Sequence, residues 1–343
     1  GTVTMNFIFD SKALKGKTTV VFEDLYMGDV NVTTHSDITD EGQSIHYPEI
    51  KTTAMDEKTK DNLGAIGNET TIVDTVSYSN LIAGKTYTVK GVLMDKATKE
   101  PLKVDGKTVT AEKTFTAEAE SGTVDMSFTF DSKGLEGKSV VVFEKLWYEG
   151  IRVTMHADIT DEGQTIHYPQ IHTMAKDGKT GTHRGTVEKT AVIVDTVSYS
   201  NLVSGKEYTV KGVLMNKETG KPLKVDGKEV TAEKTFTAEK ANGTVELRYA
   251  FDSKKLEGKT VVVFEDLYHQ GIKVTTHSDI NDYGQSVKYP KPLFSGDTPQ
   301  TGDHSNLWVF VIIMAAACTA IMALSKKKKA DDGAETGDDN KEE

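Results

Sequence analysis

Cysteine is nearly absent from this sequence of 343 residues. Its single cysteine, Cys318, lies inside an apolar run, so no intrachain disulfide can brace the chain. Small domains of the extracellular space often rely on such cross-links. If these domains lie outside the cell, another kind of bracing has to replace the disulfide.

An excess of positive charge is also lacking. The formal net charge is −11, which argues against nucleic-acid binding because neutralising phosphates requires a basic surface. No cofactor motif is present, and we expect neither a cofactor nor a bound metal. The hydrophobic content of 37% and charged content of 27% are ordinary for folded modules, and the length predicts two or three domains.

One long hydrophobic run lies near the C-terminal end. Residues 307–324 read LWVFVIIMAAACTAIMAL without a charge or a polar face. As a helix rising about 1.5 Å per residue they span roughly 27 Å, enough for a bilayer core. Lysines at 326–329 follow, and the positive-inside rule places them in the cytoplasm. We therefore expect a transmembrane helix at 307–324, a basic stop and acidic cytoplasmic tail at 325–343, and the remainder outside the cell.

A short motif precedes this run and resembles the three-part sorting signal of sortase substrates, of the LPXTG type. The motif reads TPQTG and consists of Thr298, Pro299, Gln300, Thr301 and Gly302. The resemblance implies cleavage between Thr301 and Gly302 and transfer to cell-wall peptidoglycan by a sortase. The motif has Thr298 where such signals carry Leu, which leaves the sortase class open. A plain membrane anchor without cleavage is the alternative.

The strongest internal signal is a long repeat. Residues 52–164 align without a gap to residues 173–285 at an offset of 121, and the first 43 residues match the end of the same unit. A period this long indicates an array of domains rather than a solenoid. Because the sequence opens on GTVTMNFIFD without a signal peptide, we interpret it as a fragment that has lost its N-terminal part. We predict a partial module at 1–48, module 1 at 49–169, module 2 at 170–290, a linker with the sorting motif at 291–306, and the anchor.

Each module has the pattern of a β-sandwich. Short runs such as YTVKGVLM and KSVVVFEKLW are rich in Val, Thr and aromatic residues, and turn sequences such as DGK and LEGK separate them. Runs of this length and spacing favour an all-β fold, and we predict tandem immunoglobulin-like sandwiches followed by the transmembrane helix.

Several polar residues fall on the apolar face of their strands. Alternate side chains of a strand share a face. By this rule four polar residues of module 1 point into the core: Thr52, Asp74, Glu144 and Gln164. Their counterparts in module 2 are Thr173, Asp195, Glu265 and Gln285.

A buried Asp and Glu beside a hydroxyl and a carboxamide suggest a reaction. Burying two ionised carboxylates is costly, so such a pair would share a proton. One could accept the hydroxyl proton while the other donates to the departing amide nitrogen. The product would be an ester from Thr to Gln, with loss of ammonia. A satisfied buried hydrogen-bond network is the alternative.

Two further motifs carry a family resemblance. VVFE occurs at 141–144 and 262–265, and HxDxxDxxQ at 156–164 and 277–285. The combination resembles VaFE-repeat surface proteins and the Thr-Gln ester-bond domains of Gram-positive adhesins. The resemblance implies esters joining Thr52 to Gln164 and Thr173 to Gln285, while Gln43 of the partial module lacks its Thr partner. It also implies that an Asp, a Glu and a His assist in each module: Asp74, Glu144 and His156, then Asp195, Glu265 and His277.

The histidines do not fit strict alternation. His156 falls on the face of Arg152 and Thr154, so either a bulge re-aims the ring or its role is secondary. A metal site built from His156, Asp158 and Asp161 is a rival hypothesis, although the spacing matches no strong ligand pattern.

Together these features predict a cell-wall-anchored stalk, outside a Gram-positive cell, that presents an adhesive region to a host ligand. We expect no turnover enzyme, because tandem sandwiches offer no evident cleft for a glycosidase pair. Host-ligand binding by the modules themselves is one alternative. A sortase-polymerised pilin subunit, with Lys291 of the YPK sequence as the acceptor, is another.

Overall fold

The computed structural model describes residues 1–291, and its regular elements there are β-strands and short 3-10 helices. The predicted all-β, immunoglobulin-like sandwich fold is confirmed. The predicted sorting motif, transmembrane helix and tail lie outside the described residues. Between residues 1 and 291, no helix is long and apolar enough to span a bilayer.

Module 1 is a sandwich of two antiparallel sheets. One sheet has the order β10-β7-β12-β13, with β14 also paired to β12, and the other has the order β11-β6-β5. The strands of module 1 are β5 (Glu49–Asp56), β6 (Thr70–Ser79), β7 (Thr86–Asp95), β8 (Lys103–Val104), β9 (Lys107–Thr108), β10 (Thr110–Thr116), β11 (Gly122–Phe130), β12 (Ser139–Tyr148), β13 (Ile151–His156) and β14 (Thr165–His167). The first strand, β5, and the last, β14, belong to different sheets and contact each other.

Module 2 repeats this topology. Its larger sheet follows the order β18-β17-β23-β24, with β21 on β17 and β25 on β23, and its smaller sheet has the order β15-β16-β22. Its strands are β15 (Gln170–Asp177), β16 (Ala191–Ser200), β17 (Glu207–Asn216), β18 (Lys221–Pro222), β19 (Lys224–Val225), β20 (Lys228–Glu229), β21 (Thr231–Thr237), β22 (Gly243–Phe251), β23 (Thr260–His269), β24 (Ile272–His277) and β25 (Ser286–Lys288).

The partial module holds only counterparts of the last strands of a module. These are β1 (Lys17–Val20), β2 (Glu23–Met27), β3 (Val30–His35) and β4 (Ser44–Tyr47), which form the pairs β1–β4 and β2–β3. The strand pairs have no facing sheet in the described structure, and apolar side chains such as Phe7, Leu25 and Val32 are exposed.

The core of each sandwich follows from residue alternation. On β6, Ile72, Val76 and Tyr78 are buried, and they pack against Val142 and Leu146 of β12 in one apolar cluster. Complete burial of such a side chain stabilises the fold by about 1.5–3 kcal/mol. By the same alternation, polar residues at the inward-facing positions of these strands also lie in the core.

Modules 1 and 2 pack directly on each other through a segment of module 1. Asn62 and Gly64 bond through their backbones to His167 of β14. Leu63, between them, is fully buried and belongs to the apolar cluster of module 2. The Ile66 N–H donates to the Val274 carbonyl of module 2 at 2.9 Å. The end of one sandwich thus contributes a side chain to the core of the next.

Polar contacts flank the buried Leu63 side chain, which we call the plug. Asp61 forms an ion pair with Lys206 of module 2 and lies 3.3 Å from His269 Nε2. On the other side of the junction, the Asn201 side chain of module 2 donates to the Lys138 and Tyr168 carbonyls of module 1 at 2.6 and 3.0 Å. Charged, polar and apolar contacts together restrain the junction.

Candidate functional site

Four polar side chains of module 1 meet inside the sandwich. Thr52 lies on β5, Asp74 on β6, Glu144 on β12, and Gln164 ends the 3-10 helix that leads into β14. Thr52 is 8% exposed and the other three are fully buried. The structure therefore brings together the residues that alternation assigned to the core, although they come from both sheets and from both ends of the module.

The geometry places the hydroxyl and the carboxamide in contact. Gln164 Nε2 donates to Thr52 Oγ1, across 112 positions of sequence. Thr52 Oγ1 donates to Glu144 Oε2 at 3.1 Å, and Gln164 Nε2 also donates to Asp74 Oδ1 at 3.3 Å. The two potential ester partners thus lie between the two carboxyl groups.

Module 2 brings the corresponding four residues together, but its carboxamide donates to the Glu rather than to the Asp. Thr173 Oγ1 donates to Glu265 Oε2 at 3.1 Å. Gln285 Nε2 donates to Thr173 Oγ1 and to Glu265 Oε2, each at 2.8 Å. Asp195 is fully buried beside them, and the two ester candidates are again separated by 112 positions.

Burial sets the charge of each carboxyl pair. Burial raises the pKa of Asp74 to about 6. Burial is also the main cause that raises the pKa of Glu144 well above its usual range, and the charge of the neighbouring Asp74 is the second cause. Burial likewise raises the pKa of Asp195 to about 6 and, together with the Asp195 charge, that of Glu265 far above its usual range. At neutral pH each pair therefore keeps one proton, which its two carboxyl groups share.

The network is not fully satisfied. Within residues 1–291, Gln164 Oε1 and Gln285 Oε1 are buried without a hydrogen-bond partner. The two carboxyl groups of each pair, by contrast, are hydrogen-bonded to each other. Buried polar atoms are normally paired, and an orphaned one costs about 1–3 kcal/mol. This argues against the alternative of a satisfied hydrogen-bond network and for a site arranged to react.

Gly91 makes room for the packing beneath the carboxyl pair. It pairs with Glu144 across the β7–β12 ladder. A Cβ at this position would lie 2.5 Å from Phe128 Cζ. A larger residue would therefore displace this buried aromatic ring.

The histidines join the site through a bulge. The β12–β13 pairing shifts register after Leu146, so that Val153 has no partner and His156 pairs with Glu144. Strict alternation was therefore wrong for His156, and a bulge re-aims the ring to the side of the Glu. His277 is placed in the same way opposite Glu265, and its Nδ1 lies 3.4 Å from Thr173 Oγ1.

Sequence reasoning missed the partner of each histidine. His156 Nε2 lies 2.8 Å from Asp161 Oδ2, and His277 Nε2 lies 3.4 Å from Asp282 Oδ2. Asp158, the third residue of the rival metal hypothesis, instead accepts from the Thr160 N–H at 2.9 Å and from its hydroxyl at 2.7 Å. The available signal was the Asp that precedes each EGQ or YGQ turn, a typical helix N-cap.

The partial module retains half of such a site. With its amide nitrogen and oxygen exchanged, which satisfies both atoms, Gln43 donates to Glu23 Oε1 at 3.1 Å. His35 Nε2 lies 2.9 Å from Asp40 Oδ2. The counterparts of Thr52 and Asp74 are not among its residues. Gln43 therefore has no hydroxyl partner within the described chain.

The family model described as "T-Q ester bond containing domain" matches residues 1–47, 48–168 and 169–289. No curated protein shows a significant match. A similar solved structure is a bacterial adhesin from Mobiluncus mulieris containing intramolecular disulfide, isopeptide and ester bond cross-links. It is 18% identical over 66% of this chain and 83% of that chain, with a TM-score of 0.33.

A second similar structure is the C-terminal domain of the Streptococcus agalactiae AgI/II polypeptide BspA. It is 10% identical over 66% of this chain and 98% of that chain, with a TM-score of 0.35. A glycosyl hydrolase family 2 member from Bacteroides cellulosilyticus is 11% identical over 60% of this chain and 26% of that chain, with a TM-score of 0.26. Similarity at this level carries no information about function.

Proposed function

Because this chain belongs to the T-Q ester bond containing domain family, we propose that modules 1 and 2 each form an ester between their first strand and the turn before their last strand, and that the protein is a surface stalk. The observation that carries the proposal is the contact between the Gln164 carboxamide and the Thr52 hydroxyl in a buried site beside two carboxyl groups. The family description supports the type of bond, and the contact geometry supports the choice of residues.

The bond forms by acyl transfer. Thr52 Oγ1 attacks Gln164 Cδ, its proton passes to Glu144 Oε2, and the Cδ–Nε2 bond breaks. As Glu144 takes up that proton it passes its own proton through Asp74 to the departing nitrogen, with which Asp74 is in hydrogen-bonding contact. Ammonia leaves, and the carboxyl pair regains its original protonation state. The reaction needs no cofactor and occurs once per module, because the product remains part of the chain.

An ester at this position would carry mechanical load. Force applied to a tandem array enters a module at its first strand and leaves at its last. The bond connects β5 to the residue before β14, so the load would bypass the hydrogen bonds of the sandwich. Such a stalk needs no disulfide, which accounts for the absence of cysteine from residues 1–291.

The sequence motifs at 298–302 and 307–324 support wall anchoring of this stalk. We place the modules outside a Gram-positive cell, with sortase, peptidoglycan and a host surface ligand as partners. Two experiments test the proposed wall anchoring. A muramidase should release the protein from the cell wall, and Thr301→Ala should abolish its attachment to the wall. Unchanged attachment of the Thr301→Ala protein would contradict sortase anchoring.

Intact mass tests the cross-links directly. Each ester removes ammonia, so the full chain should be lighter than its calculated mass by about 34 Da for two bonds, roughly 17 Da each. Thr52→Ala and Thr173→Ala should each restore half of the difference, and peptide mapping should find residues around Thr52 joined to those around Gln164. A wild-type mass equal to the calculated one would disprove the proposal.

A further inference from the structure

Module 2 contains a buried hydroxyl that the ester mechanism does not use. Tyr249 lies on β22 and is 1% exposed. Its Oη has no hydrogen-bond partner within residues 1–291. Buried polar atoms are normally paired. An unpaired hydroxyl close to reacting groups is therefore a candidate for a role in their chemistry.

The register of the smaller sheet directs this side chain toward the carboxyl pair. Leu247 of β22 pairs with Asp195 of β16, and Tyr249, two positions later, pairs with Ile193. Tyr249 and Asp195 are thus diagonal neighbours on the buried face of the sheet. Aromatic side chains are long enough to reach such a neighbour.

The facing sheet leaves space for the hydroxyl beside the second carboxyl group. Gly212 of β17 pairs with Glu265 of β23. A Cβ at Gly212 would clash with Tyr249 Oη, so the hydroxyl occupies the place of a side chain next to Glu265. Burial raises the pKa of the phenol, and the charges of Glu265 and Asp195 raise it further. The hydroxyl therefore keeps its proton and is a donor at all relevant pH values.

Module 1 has the same ring without the hydroxyl. Phe128 corresponds to Tyr249, and Gly91 corresponds to Gly212. A Cβ at Gly91 would lie 2.5 Å from Phe128 Cζ, the ring atom that bears the hydroxyl in tyrosine. The two rings thus occupy equivalent positions, and the two modules form a natural pair that differs at this point by one oxygen atom.

We propose that Tyr249 is a positioning residue for ester formation in module 2, whose hydroxyl donates a hydrogen bond to the carboxyl pair when that pair is ionised. This inference rests on the proposed ester. In the step concerned, Thr173 Oγ1 bonds to Gln285 Cδ, the Cδ–Nε2 bond breaks, and the hydroxyl proton leaves with the nitrogen as ammonia. Tyr249 keeps its own proton and touches none of these atoms.

The consequence is a difference in pH dependence between the modules. The carboxyl pair can accept the Thr proton only after it has lost one of its own two protons. A hydrogen bond donated to the ionised form favours that form and lowers the pKa at which the pair ionises. Tyr249 therefore allows module 2 to link at a lower pH than it would with phenylalanine.

Other titratable groups also act on each site. Around the module 2 pair and its histidine they are His277, His172, Asp282, Asp279 and Glu136. Around the module 1 pair and its histidine they are His156, Asp158, Asp161 and Asp125. These sets differ between the modules, so the test changes the ring within one module and compares that module with itself.

The test exchanges the oxygen atom in both directions, with Tyr249→Phe and Phe128→Tyr in the full chain. Unfolded chain whose mass shows no ester is diluted from denaturant into detergent-containing buffers that span roughly pH 4–9. Folding is followed by circular dichroism, and the linked fraction of each module is followed by peptide mass.

We expect Tyr249→Phe to raise the midpoint of the acid limb of the module 2 linking rate by about one pH unit, because the ionised pair loses a donor. Below the midpoint, module 2 should then link about ten-fold more slowly, since the ionised fraction falls ten-fold per pH unit. Phe128→Tyr should lower the midpoint of module 1 by a similar amount. In each variant the unchanged module of the same molecule should keep its wild-type profile.

Tyr289→Phe is the matched control. Tyr289 is also fully buried with an unpaired hydroxyl within the described residues, but the charge that acts on it is that of Asp177 and not that of the carboxyl pair. Its replacement should leave the linking profile of module 2 unchanged. An unshifted midpoint in Tyr249→Phe, or an equal shift in Tyr289→Phe, would overturn the inference, whatever the effect on folding. A wild-type chain without mass loss would instead overturn the proposed function.

Discussion

Modules 1 and 2 hold the same reacting groups in different surroundings. Beneath the carboxyl pair, module 1 has Phe128 and module 2 has Tyr249, a buried residue whose hydroxyl has no partner within residues 1–291 and whose pKa burial raises far above its usual range. Beside the Thr, Lys51 of module 1 corresponds to His172, whose ring centroid lies 5.5 Å from that of His277. The register of the strands therefore keeps the reacting groups in place while the neighbouring electrostatics vary.

The junction segments differ more strongly. Asp61, Asn62 and Leu63 of module 1 correspond to Thr182, His183 and Arg184 of module 2. Leu63 is fully buried in the core of the following module, whereas Arg184 is exposed. The site therefore depends on the module alone, whereas the burial of Leu63 requires the next module to pack against it.

The largest expected effect is the loss of one cross-link. Closing a loop of 112 positions stabilises a fold by about 5 kcal/mol in the chain-entropy model. Thr52→Ala should lower the unfolding free energy of module 1 by about this amount and expose it to trypsin, while Thr173→Ala should act only on module 2. Calorimetry and timed proteolysis measure both. Thr53→Ala, at the neighbouring exposed position, is the control and should change nothing. Equal resistance of Thr52→Ala and wild type would show that no bond braces module 1.

A smaller effect tests the difference between the junctions. Leu63→Ala should cost about 2–5 kcal/mol, because it opens a cavity in the core of module 2. Arg184→Ala, at the corresponding exposed position, should stay within about 0.5 kcal/mol of wild type. Denaturant unfolding of the full chain measures both. If the two changes cost the same, the plug does not contribute to the stability of module 2.

The smallest effect concerns pH and the two carboxyl pairs. Asp74 and Asp195 have pKa values raised to about 6 in the folded chain, so each favours folding at low pH, and this contribution is lost as pH rises from about 4 through 6. At roughly 1.4 kcal/mol per pKa unit, the Asp of an unlinked module should account for a loss of up to about 3 kcal/mol between pH 4 and pH 7, and the raised pKa of its Glu partner adds a loss of the same sign.

Unfolding of Thr52→Ala and Thr173→Ala across this range compares the pairs one module at a time. Equal slopes would show that Tyr249 and His172 leave the module 2 pair unchanged, and a steeper slope in one module would locate the difference. Adding Asp74→Asn should flatten the module 1 curve, and a curve that rises with pH would contradict the raised pKa of Asp74.

Much of the site was predictable from the sequence because period-2 alternation is a local property. It placed Thr52, Asp74 and Glu144 on the apolar faces of their strands, and the repeat assigned the same positions in module 2. Alternation failed at His156, because one extra residue at Val153 reverses the facing of everything after it in the strand. A local pattern contains no information about the partner strand, and the partner strand determines where a bulge occurs.

The sequence by itself determined the repeat, the β-sandwich fold, the lack of disulfides and the polar residues directed into each core. Only the tertiary structure decided that Asp161 contacts both His156 and the turn of Gln164, and that Leu63 packs in the core of the following module. Alternation and repeat spacing result from the geometry of a single strand, so they can be read along the chain. A contact between separate segments depends on how sheets and modules pack against one another, which no single segment encodes.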